Sequence, residues 1–424
     1  MKYGLIGEHL PHSFSKEIHA KIANYVYELH EIEKENLGDF MQKKDFIAIN
    51  VTIPYKKDVI PYLTEIDESA KKIGAVNTIV NRNGKLYGYN TDFFGMRALI
   101  QKLKLDFSEK KVVILGTGGT SNTAVAVAES LGAKQIIVVG RTAKNGVISY
   151  PELYRLHTDA EFIINTTPCG MFPYPDGKEG MDGTPVSLDS FSRLEGVVDA
   201  VYNPLRTNFI MEAKERNLPA EGGLYMLVAQ AVEASEKFLN TSFDSALTDR
   251  IFNEIALSKE NIVLTGMPGS GKSTVGKALA SALNRKFIDT DQEIVIHTGK
   301  EITDIFKECG EAEFRRIESE IISRVSSENQ GAVIATGGGA ILKDDNVHAL
   351  KRNGRIYFLN RPIENIVPTA DRPLSLDRAA LKARFEERYE RYLSTCDKEI
   401  IPPESVEQTA NLIKEDFFNE NHGD

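Results

Sequence analysis

Cysteine is scarce in this sequence: its 424 residues include three, Cys169, Cys309 and Cys396. An odd number of widely spaced thiols excludes a disulfide framework and a four-thiolate zinc site. The histidines His9 and His12 have no acidic or thiol partner at the spacing of metal ligands. We therefore expect a reducing, cytoplasmic location and no structural metal.

Long apolar runs and an excess of positive charge are also missing. No stretch of about 18 uninterrupted apolar residues occurs, and residues 1–7 lack the apolar segment of a signal peptide. We expect neither a membrane-spanning nor a secreted protein. Lysine and arginine number 51 against 61 acidic residues, a net charge of −10, so nucleic acid and anionic membranes are not expected partners. Small-molecule substrates are expected instead, and an oligomer is compatible with this composition.

Short β-rich runs alternate with helical patterns along the whole chain, which is typical of parallel α/β sheets. A polar stretch at 240–244 and a short helix at about 251–256 precede a strand that restarts at 258–261, so we place the main domain boundary near Ser258. The runs predicted as strands are 3–6, 47–51, 112–115, 136–139, 162–164, 196–201, 262–264, 333–335 and 356–359.

The first of two glycine-rich turns follows the predicted strand 112–115 and precedes a helical pattern. Its small residues allow backbone amides and a helix amino terminus to approach a pyrophosphate, although a tight strand-to-helix turn would also explain them. The candidate cofactor contacts in this turn are Gly116, Gly118, Gly119 and Thr120.

The strand after this turn, 136–139, is followed by Arg141 and Thr142, with no acidic residue at its end. In dinucleotide-binding folds an acid at this position binds a ribose 2′-hydroxyl, whereas an arginine pairs with a 2′-phosphate. The sequence therefore favours NADP(H) over NAD.

The second glycine-rich turn, 266–274, fits the phosphate-binding loop pattern between an apolar strand and a helix. Backbone amides would wrap the β-phosphate of ATP, Lys272 would reach the β- and γ-phosphates, and the Ser273 hydroxyl would bind Mg²⁺. The pattern predicts a nucleotide but leaves the phosphoryl acceptor open. The residues expected to hold the nucleotide are Gly266, Gly269, Ser270, Gly271, Lys272, Ser273 and Thr274.

An ordered set of short polar motifs at predicted strand ends resembles the shikimate dehydrogenase family, and the resemblance spans nearly all of the first 257 residues. The chain departs from that family at Asn145, where a second arginine often supports Arg141. The motifs are His-Ser-Phe-Ser at 12–15, Asn-Val-Thr-Ile-Pro-Tyr-Lys at 50–56, Gly-Ala-Val-Asn-Thr at 74–78, Asn-Thr-Asp at 90–92, Asn-Thr-Thr-Pro at 165–168, Asp-Ala-Val-Tyr-Asn-Pro at 199–204 and Gly-Gly-Leu-Tyr-Met-Leu-Val-Ala-Gln at 222–230.

This resemblance implies a catalytic pair, Lys56 and Asp92, at the carbinol of the substrate. The pair is also chemically sensible, because reduction of a ketone by hydride creates an alkoxide that needs a proton and a nearby positive charge. The resemblance further implies that Ser13 and Ser15 bind the substrate carboxylate. It assigns the ring hydroxyls to Thr52, Asn77, Thr91, Tyr202 and Gln230, and further cofactor contacts to Gly223 and Met226.

After the second turn, the motifs resemble those of shikimate kinases, over 261 to about 401. They are Asp-Thr-Asp at 289–291, Glu-Phe-Arg-Arg-Ile-Glu at 313–318, Gly-Gly-Gly at 337–339, Asp-Arg-Pro-Leu at 371–374, and Arg388 four residues before Tyr392. The resemblance implies that Asp289 faces Mg²⁺ and that Asp291 binds substrate hydroxyls near the acceptor. It also implies that Arg315 and Arg388 clamp the substrate carboxylate. Backbone at Gly338 and Gly339 would close on the ring, and Arg372 would act on the transferring phosphoryl group.

The two resemblances together predict a bifunctional enzyme that reduces 3-dehydroshikimate with NADPH and then phosphorylates shikimate with ATP. We expect residues 1–92 to form a substrate-binding α/β domain, completed by a returning helical segment at about 222–257. Residues 93–221 are expected to form a Rossmann NADP-binding domain, and 258–424 a P-loop kinase α/β domain with a parallel sheet.

Three rival hypotheses remain at this point. The first half could be an NAD-linked quinate/shikimate dehydrogenase fused to a small-molecule kinase, which the missing acid after Val139 disfavours. The second half could be a gluconate- or adenylate-type kinase, which would not explain the pair Arg315 and Arg388. A ligand-sensing regulator built from these modules would carry a broken catalytic position, and none is seen.

Overall fold

The computed structural model describes residues 1–10, 13–172, 183–366 and 378–419. The chain divides into two units, Met1–Ile255 and Ala256–Asp424. His12, Arg372 and the rest of the motif at 371–374 lie outside the described residues. The domain boundary placed near Ser258 stays a prediction.

The first sheet has six strands in the order β2-β1-β3-β5-β6-β4. Parallel pairing joins β1 to β2 and β3, whereas β5 runs antiparallel to both β3 and β6. The β5–β6 hairpin turns at Asn83 and Gly84, whose φ angles of 53° and 82° suit asparagine and glycine. The strands are β1 Tyr3–Gly7, β2 Tyr27–Glu31, β3 Ala48–Val51, β4 Glu65–Ile66, β5 Thr78–Arg82 and β6 Lys85–Tyr89.

The second sheet is parallel throughout, in the order β12-β11-β10-β7-β8-β9. The central strands β7, β10 and β11 are buried almost throughout because helices cover both faces, as expected of a parallel sheet, whereas β8 and β9 are mostly half-buried. The strands are β7 Lys111–Leu115, β8 Gln135–Gly140, β9 Ile148–Ser149, β10 Phe162–Asn165, β11 Gly196–Asp199 and β12 Ala220–Glu221.

The helices of this part include one that returns from the second sheet to the first. Helix α8 contributes Tyr225 and Met226 to the core of the second sheet, and Ala234 and Phe238 to the core of the first. It therefore fixes residues of both layers beside one cavity. The helices are α1 Ser15–Ile22, α2 Leu37–Lys43, α3 Glu68–Ile73, α4 Thr91–Lys102, α5 Gly119–Ser130, α6 Tyr150–Leu156, α7 Asn208–Glu215, α8 Leu224–Leu239 and α9 Leu247–Lys259.

The second unit has a parallel five-stranded sheet in the order β14-β15-β13-β16-β17. Its apolar strands are covered on one face by α10 and α15 and on the other by α11 to α14. The elements are β13 Asn261–Thr265, α10 Lys272–Leu283, β14 Phe287–Asp289, α11 Thr290–Thr298, α12 Ile302–Glu328, β15 Val333–Ala335, α13 Asp344–Asn353, β16 Gly354–Leu359, α14 Arg378–Thr395, β17 Lys398–Ile400 and α15 Val406–Asn419.

The α/β class predicted from the sequence is confirmed, and every run predicted as a strand overlaps a strand of the structure. Two details differ. The first sheet is mixed because the β5–β6 hairpin enters it antiparallel, and Ser258 belongs to the end of α9 rather than to a restarting strand. Among the described residues, no helix is both long and apolar enough to cross a membrane.

Candidate active sites

A cavity of about 350 Å³ opens in the first unit where β3, β5, α1, α4 and α8 meet. Because side chains at strand ends and helix starts converge there, motifs that are far apart in sequence become neighbours. The sequence-predicted residues that line this cavity are Ser13, Ser15, Thr52, Lys56, Asn77, Asp92, Thr120, Tyr202, Gly223, Met226 and Gln230.

Lys56 and Asp92 form an ion pair at the wall of this cavity, with 2.7 Å between Nζ and Oδ2. The side chains are 25% and 10% exposed, so the pair is only partly screened by solvent. Asn77 Nδ2 donates to the other carboxylate oxygen, Asp92 Oδ1, at 2.9 Å. One ammonium and one amide therefore fix both oxygens of the same carboxylate.

Thr91 lies behind Asn77 and is not among the cavity-lining residues, so its contact with a ring hydroxyl stays a prediction. Its side chain is fully buried, and its backbone N–H donates to Asn77 Oδ1 at 2.7 Å. This bond assigns the Asn77 oxygen as an acceptor, so the Asn77 N–H groups face Asp92 and Gln230. Thr91 sets the orientation of Asn77.

The serines predicted to bind a carboxylate line the same cavity. Ser13 Oγ accepts from the backbone N–H of Ser15 at 3.3 Å, at the start of α1. The Tyr202 ring packs edge-on against Phe14, and burial raises the pKa of the Tyr202 hydroxyl. A protonated tyrosine hydroxyl and two serine hydroxyls can all donate hydrogen bonds to an anionic or hydroxylated ligand.

His19 and Asn50 also line the cavity, and reasoning from the sequence missed both. His19 is 1% exposed, stacks on Tyr27 at 3.8 Å between ring centroids, and binds the Tyr25 hydroxyl through Nδ1 at 2.5 Å. Burial lowers the pKa of His19 to about 3, against a smaller opposing effect of a hydrogen bond to Asn50. His19 is therefore neutral near pH 7.

Asn50 connects this aromatic cluster to the catalytic candidates. It accepts from the Tyr27 hydroxyl at 2.7 Å, and its Nδ2 donates to the backbone oxygen of Asn77 and to Thr78 Oγ1. Asn50 stands inside the quoted motif at 50–56, and its position at the carboxyl end of a predicted strand was the signal that could have identified it.

The first glycine-rich turn has the shape of a dinucleotide site. Gly116 has a φ of 110°, and a Cβ there would lie 2.6 Å from Thr166 Oγ1, so glycine is required. Cβ atoms on Gly118 and Gly119 would meet nothing within 4 Å, which leaves the amino terminus of α5 accessible. Backbone N–H groups at such a terminus suit a pyrophosphate.

Arg141 and Thr142 are exposed and follow β8, which pairs in parallel with β7. Because the register aligns Leu115 with Val139, both residues lie at the same sheet edge as the glycine-rich turn. The structure gives a reason for Asn145: its φ of 53° belongs to a tight turn in which an arginine would be strained.

Gly223, at the entrance of α8, could not carry a side chain, because a Cβ would lie 2.2 Å from the backbone oxygen of Ala200. Close approach of these backbones is secured by the buried Asp199. Its carboxylate accepts from Asn165 Nδ2, the Val201 N–H and the Thr207 hydroxyl, and burial nevertheless raises its pKa to about 7.

The second unit contains a cavity of about 400 Å³ at the carboxyl ends of its strands. Gly266 and Ser270 stay within the loop and do not line the cavity. The sequence-predicted residues that do are Gly269, Gly271, Lys272, Ser273, Thr274, Asp289, Asp291, Arg315, Gly338, Gly339 and Arg388.

The backbone of the phosphate-binding loop holds the Lys272 ammonium in place. Lys272 is 8% exposed, and its Nζ donates to the backbone oxygens of Gly266 and Met267 at 2.9 and 3.0 Å. Ser273 Oγ lies 2.6 Å from Asp289 Oδ2, which brings a hydroxyl and a carboxylate together beside the loop. Oxygen ligands of this kind suit Mg²⁺, which also takes ligands from water and phosphate.

Two arginines face the cavity from different helices. Arg315 donates to Glu318 at 2.7 Å and to Glu311 at 3.2 Å, and Arg388 donates to the Gly338 backbone oxygen at 3.1 Å. Glu318 Oε1 and Arg388 Nε are buried without a hydrogen-bond partner among the described residues. Buried polar atoms in a cavity that lack a protein partner are suited to a polar ligand.

The glycine triplet is packed so closely that a side chain at any of its three positions would displace a neighbour. A Cβ on Gly337 would lie 2.7 Å from Asp291 Oδ1, on Gly338 2.7 Å from Pro268 Cδ, and on Gly339 2.1 Å from Arg315 Nη1. The triplet therefore packs against the phosphate-binding loop at Pro268, against the acid Asp291 and against Arg315.

Glu318, Arg361 and Arg384 line this cavity without having been assigned a role from the sequence. Burial raises the pKa of Glu318, and the neighbouring Arg315 opposes this effect. Burial, and then Arg388, lowers the pKa of Arg384. The sequence could have indicated both residues through their helical spacing. Glu318 is three residues from Arg315, and Arg384 is four residues from Arg388, so each pair lies on the same face of a helix. Arg372 lies outside the described residues.

These geometries define two nucleotide-dependent enzyme sites, one of the dinucleotide-binding oxidoreductase class and one of the phosphate-binding-loop kinase class. Residues 5–79 match the family model of the shikimate dehydrogenase substrate binding domain, and residues 268–416 match that of shikimate kinase. A shikimate dehydrogenase (NADP(+)) from Clostridium beijerinckii is 37% identical over 266 residues, which cover 59% of this chain and 96% of that protein. The chain belongs to the shikimate dehydrogenase family and carries a shikimate kinase domain.

Two solved structures are similar to the dehydrogenase part of the chain. A chorismate mutase/shikimate 5-dehydrogenase fusion protein from Clostridium acetobutylicum is 38% identical with a TM-score of 0.55, covering 60% of this chain and 96% of that one. Shikimate 5-dehydrogenase from Listeria monocytogenes, in complex with shikimate and NAD, is 25% identical with a TM-score of 0.51, covering 60% and 96%.

Proposed function

We propose that this chain is a bifunctional enzyme of chorismate biosynthesis. Its first unit reduces 3-dehydroshikimate to shikimate with NADPH, and its second phosphorylates shikimate at the 3-hydroxyl with ATP. One observation carries the proposal above the others: a Lys56–Asp92 pair at a polar cavity and a phosphate-binding loop facing Arg315 and Arg388 occur in one chain. The product of the first reaction is the substrate of the second.

In the reduction, NADPH, when bound, would supply the hydride for the carbonyl carbon of the substrate. Lys56 donates a proton to the carbonyl oxygen as negative charge develops there, and its ammonium stabilises that charge before transfer. Asp92 holds the ammonium at 2.7 Å and accepts a hydrogen bond from a substrate hydroxyl. Asn77 and Gln230 bind a ring hydroxyl, and Ser13 and Ser15 hold the carboxylate.

The cofactor preference rests on the exposed Arg141 at the edge of the second sheet. Its guanidinium can bind a 2′-phosphate in two parallel hydrogen bonds, and no acidic residue follows β8 to favour an unphosphorylated ribose. The relative from Clostridium beijerinckii is named as NADP-dependent, in agreement. NADP(H) is the proposed cofactor.

In the phosphorylation, catalysis is mainly alignment and charge neutralisation. Arg315 and Arg388 hold the shikimate carboxylate, which places the 3-hydroxyl near Asp291. Asp291 accepts the hydroxyl proton as the oxygen attacks the γ-phosphorus of ATP, and the bond to the β-phosphate oxygen breaks. Lys272 neutralises charge on the phosphates, Ser273 and Asp289 would hold Mg²⁺, and Arg372 is proposed to act on the transferring group.

A coupled assay tests the whole proposal. Full-length protein is supplied with 3-dehydroshikimate, NADPH, ATP and Mg²⁺, and shikimate 3-phosphate is detected by mass spectrometry. Omitting NADPH should abolish the product, and adding shikimate in its place should restore it. Quinate oxidation with NAD that exceeds shikimate oxidation with NADP would contradict the first activity, and transfer to gluconate or AMP would contradict the second.

The cytoplasmic location and the oligomeric state stay predictions. The three cysteines form no disulfide, as a reducing compartment would leave them. Gel filtration with light scattering on the full chain would give the number of copies in the assembly.

A further inference from the structure

Arg361 follows β16, the strand beside the one that enters the phosphate-binding loop. The preceding residue, Asn360, fixes the backbone next to Arg361. The Asn360 backbone N–H donates to the Ile400 oxygen at 2.9 Å, and the Asn360 side-chain amide donates to Glu399 at 2.6 Å. The Asn360 side chain is thereby directed toward β17. Arg361 is a half-buried residue that lines the cavity of about 400 Å³.

The guanidinium of Arg361 extends to the phosphate-binding loop. A Cβ built on Gly271 would lie 3.6 Å from Arg361 Nη1. Gly271 caps the amino terminus of α10 and directly precedes Lys272, so the guanidinium lies where the loop would hold the phosphates of a nucleotide.

Arg361 differs from the two arginines on the acceptor side. Arg315 binds two glutamates and Arg388 binds a backbone oxygen, whereas the Arg361 side chain forms no hydrogen bond or ion pair with any residue in the described ranges. Two of the three acids among the described residues that line the cavity are engaged elsewhere: Asp289 binds Ser273, and Glu318 binds Arg315. A cation with no protein anion, beside a loop that binds phosphate, is suited to an anionic ligand.

We propose that Arg361 is a binding residue for the phosphates of the nucleotide, supplied by the sheet rather than by the 371–374 segment. This inference rests on the proposed kinase function, which assigns the loop to ATP. Positive charge at this position contributes to holding the nucleotide before the acceptor binds. Arg361 is thus separate in role from Arg315 and Arg388, which act on the acceptor.

The test is titration calorimetry of the full chain with Mg·ADP, with no acceptor present. R361Q removes the charge and should weaken Mg·ADP binding about tenfold, since charge-assisted contacts to phosphate are among the stronger hydrogen bonds. R361K keeps the charge and should stay within about threefold of the parent. R316A, an exposed arginine on α12, is the control and should bind Mg·ADP normally.

Two results would overturn the proposal: R361Q binding as tightly as the parent, or R361K binding as weakly as R361Q. The second pattern would indicate that the planar guanidinium stacks on the base instead of binding phosphate. Failure of the proposed acceptor is distinguishable, because it would appear as absent shikimate phosphorylation by the parent enzyme while parent Mg·ADP binding is intact.

Discussion

The two cavities differ in how their polar groups are satisfied. In the first unit, Asp92 binds Lys56 at 2.7 Å and Asn77 at 2.9 Å, so the proposed catalytic groups are held in place by the protein itself. In the second unit, Glu318 Oε1 and Arg388 Nε are buried without a partner among the described residues. Proton transfer to a single oxygen needs one positioned donor. Phosphoryl transfer instead needs several charged groups, whose charges are neutralised only when the substrates are bound. A variant in the first cavity should therefore mainly lower turnover, whereas a variant in the second should mainly raise the KM for the substrate.

The largest effect is expected for Lys56→Ala, which removes both the proton and the positive charge at the developing alkoxide. We expect loss of roughly 10²-fold or more in 3-dehydroshikimate turnover. Lys57→Ala, its exposed neighbour, is the matched control. Steady-state assays of both reactions should show kinase activity unchanged in each variant. Normal dehydrogenase turnover in Lys56→Ala would exclude Lys56 as the acid.

Arg315→Ala should raise the KM for shikimate by about 10²-fold in the kinase reaction, because the proposed charge-assisted contact to the substrate carboxylate would be lost. The variant also leaves Glu318 buried without its cation. Arg316→Ala, one residue along the same helix and 61% exposed, is the control. A loss in Arg316→Ala as large as that in Arg315→Ala would show that α12 is perturbed rather than the clamp.

A third effect is a pH dependence of stability that arises from His19. Its pKa is about 3 in the folded chain, against the ordinary histidine value of 6.5 in the unfolded chain, so the unfolded chain binds the extra proton first. The His19 contribution is fully present above pH 6.5 and is lost as the pH falls toward 3, by up to about 1.4 kcal/mol per pH unit. Asp199, whose pKa is raised to about 7 by burial, acts in the opposite direction between about pH 4 and 7.

Denaturant titrations of the parent and His19→Asn at pH 7 and pH 5, followed by circular dichroism, check this prediction. The difference in free energy of unfolding between the two proteins should shrink at pH 5, because the asparagine variant has no proton to gain at this position. A difference that is constant between the two pH values would contradict a neutral, buried His19.

Arg141→Ala should raise the KM for NADPH about tenfold and leave that for NADH nearly unchanged, since only NADPH carries a 2′-phosphate. Initial rates with each cofactor at saturating 3-dehydroshikimate give the two values. Arg155→Ala, on the surface of α6, serves as the control. Equal losses with both cofactors would indicate a structural task for Arg141.

The alternation of strands and helices and the two glycine-rich turns could be predicted because they depend on local pattern. The β5–β6 hairpin could also have been found, since Asn83-Gly84 between two β-rich runs is a strong hairpin signal. The orientation of Asn77 could not, because it depends on the Thr91 N–H bonding across the fold. The neutral His19 likewise arises from burial between α1, β2 and α8, which no local pattern encodes.

The smallest effect is expected for separating the units. Helix α9 carries residues buried in the first unit, such as Ile251, and its end serves the second, where Arg285 donates to the Leu257 and Glu260 oxygens at 2.7 and 2.8 Å. A cut between Leu257 and Ser258 therefore removes an acceptor from the kinase fragment. Fragments 1–259 and 247–424 each keep the whole helix.

Each overlapping fragment should retain its own activity to within about tenfold, a difference below roughly 1.4 kcal/mol, because the described residues that line each cavity all belong to one unit. A kinase fragment that begins at Ser258 should be less stable by about 1–3 kcal/mol than one beginning at Leu247, since a partly buried donor of Arg285 loses its partner. Thermal unfolding and shikimate phosphorylation of the two kinase fragments measure this. If 247–424 is monodisperse yet inactive, and regains activity when 1–259 is added, the kinase site depends on the first unit and the separation of the two enzymes is refuted.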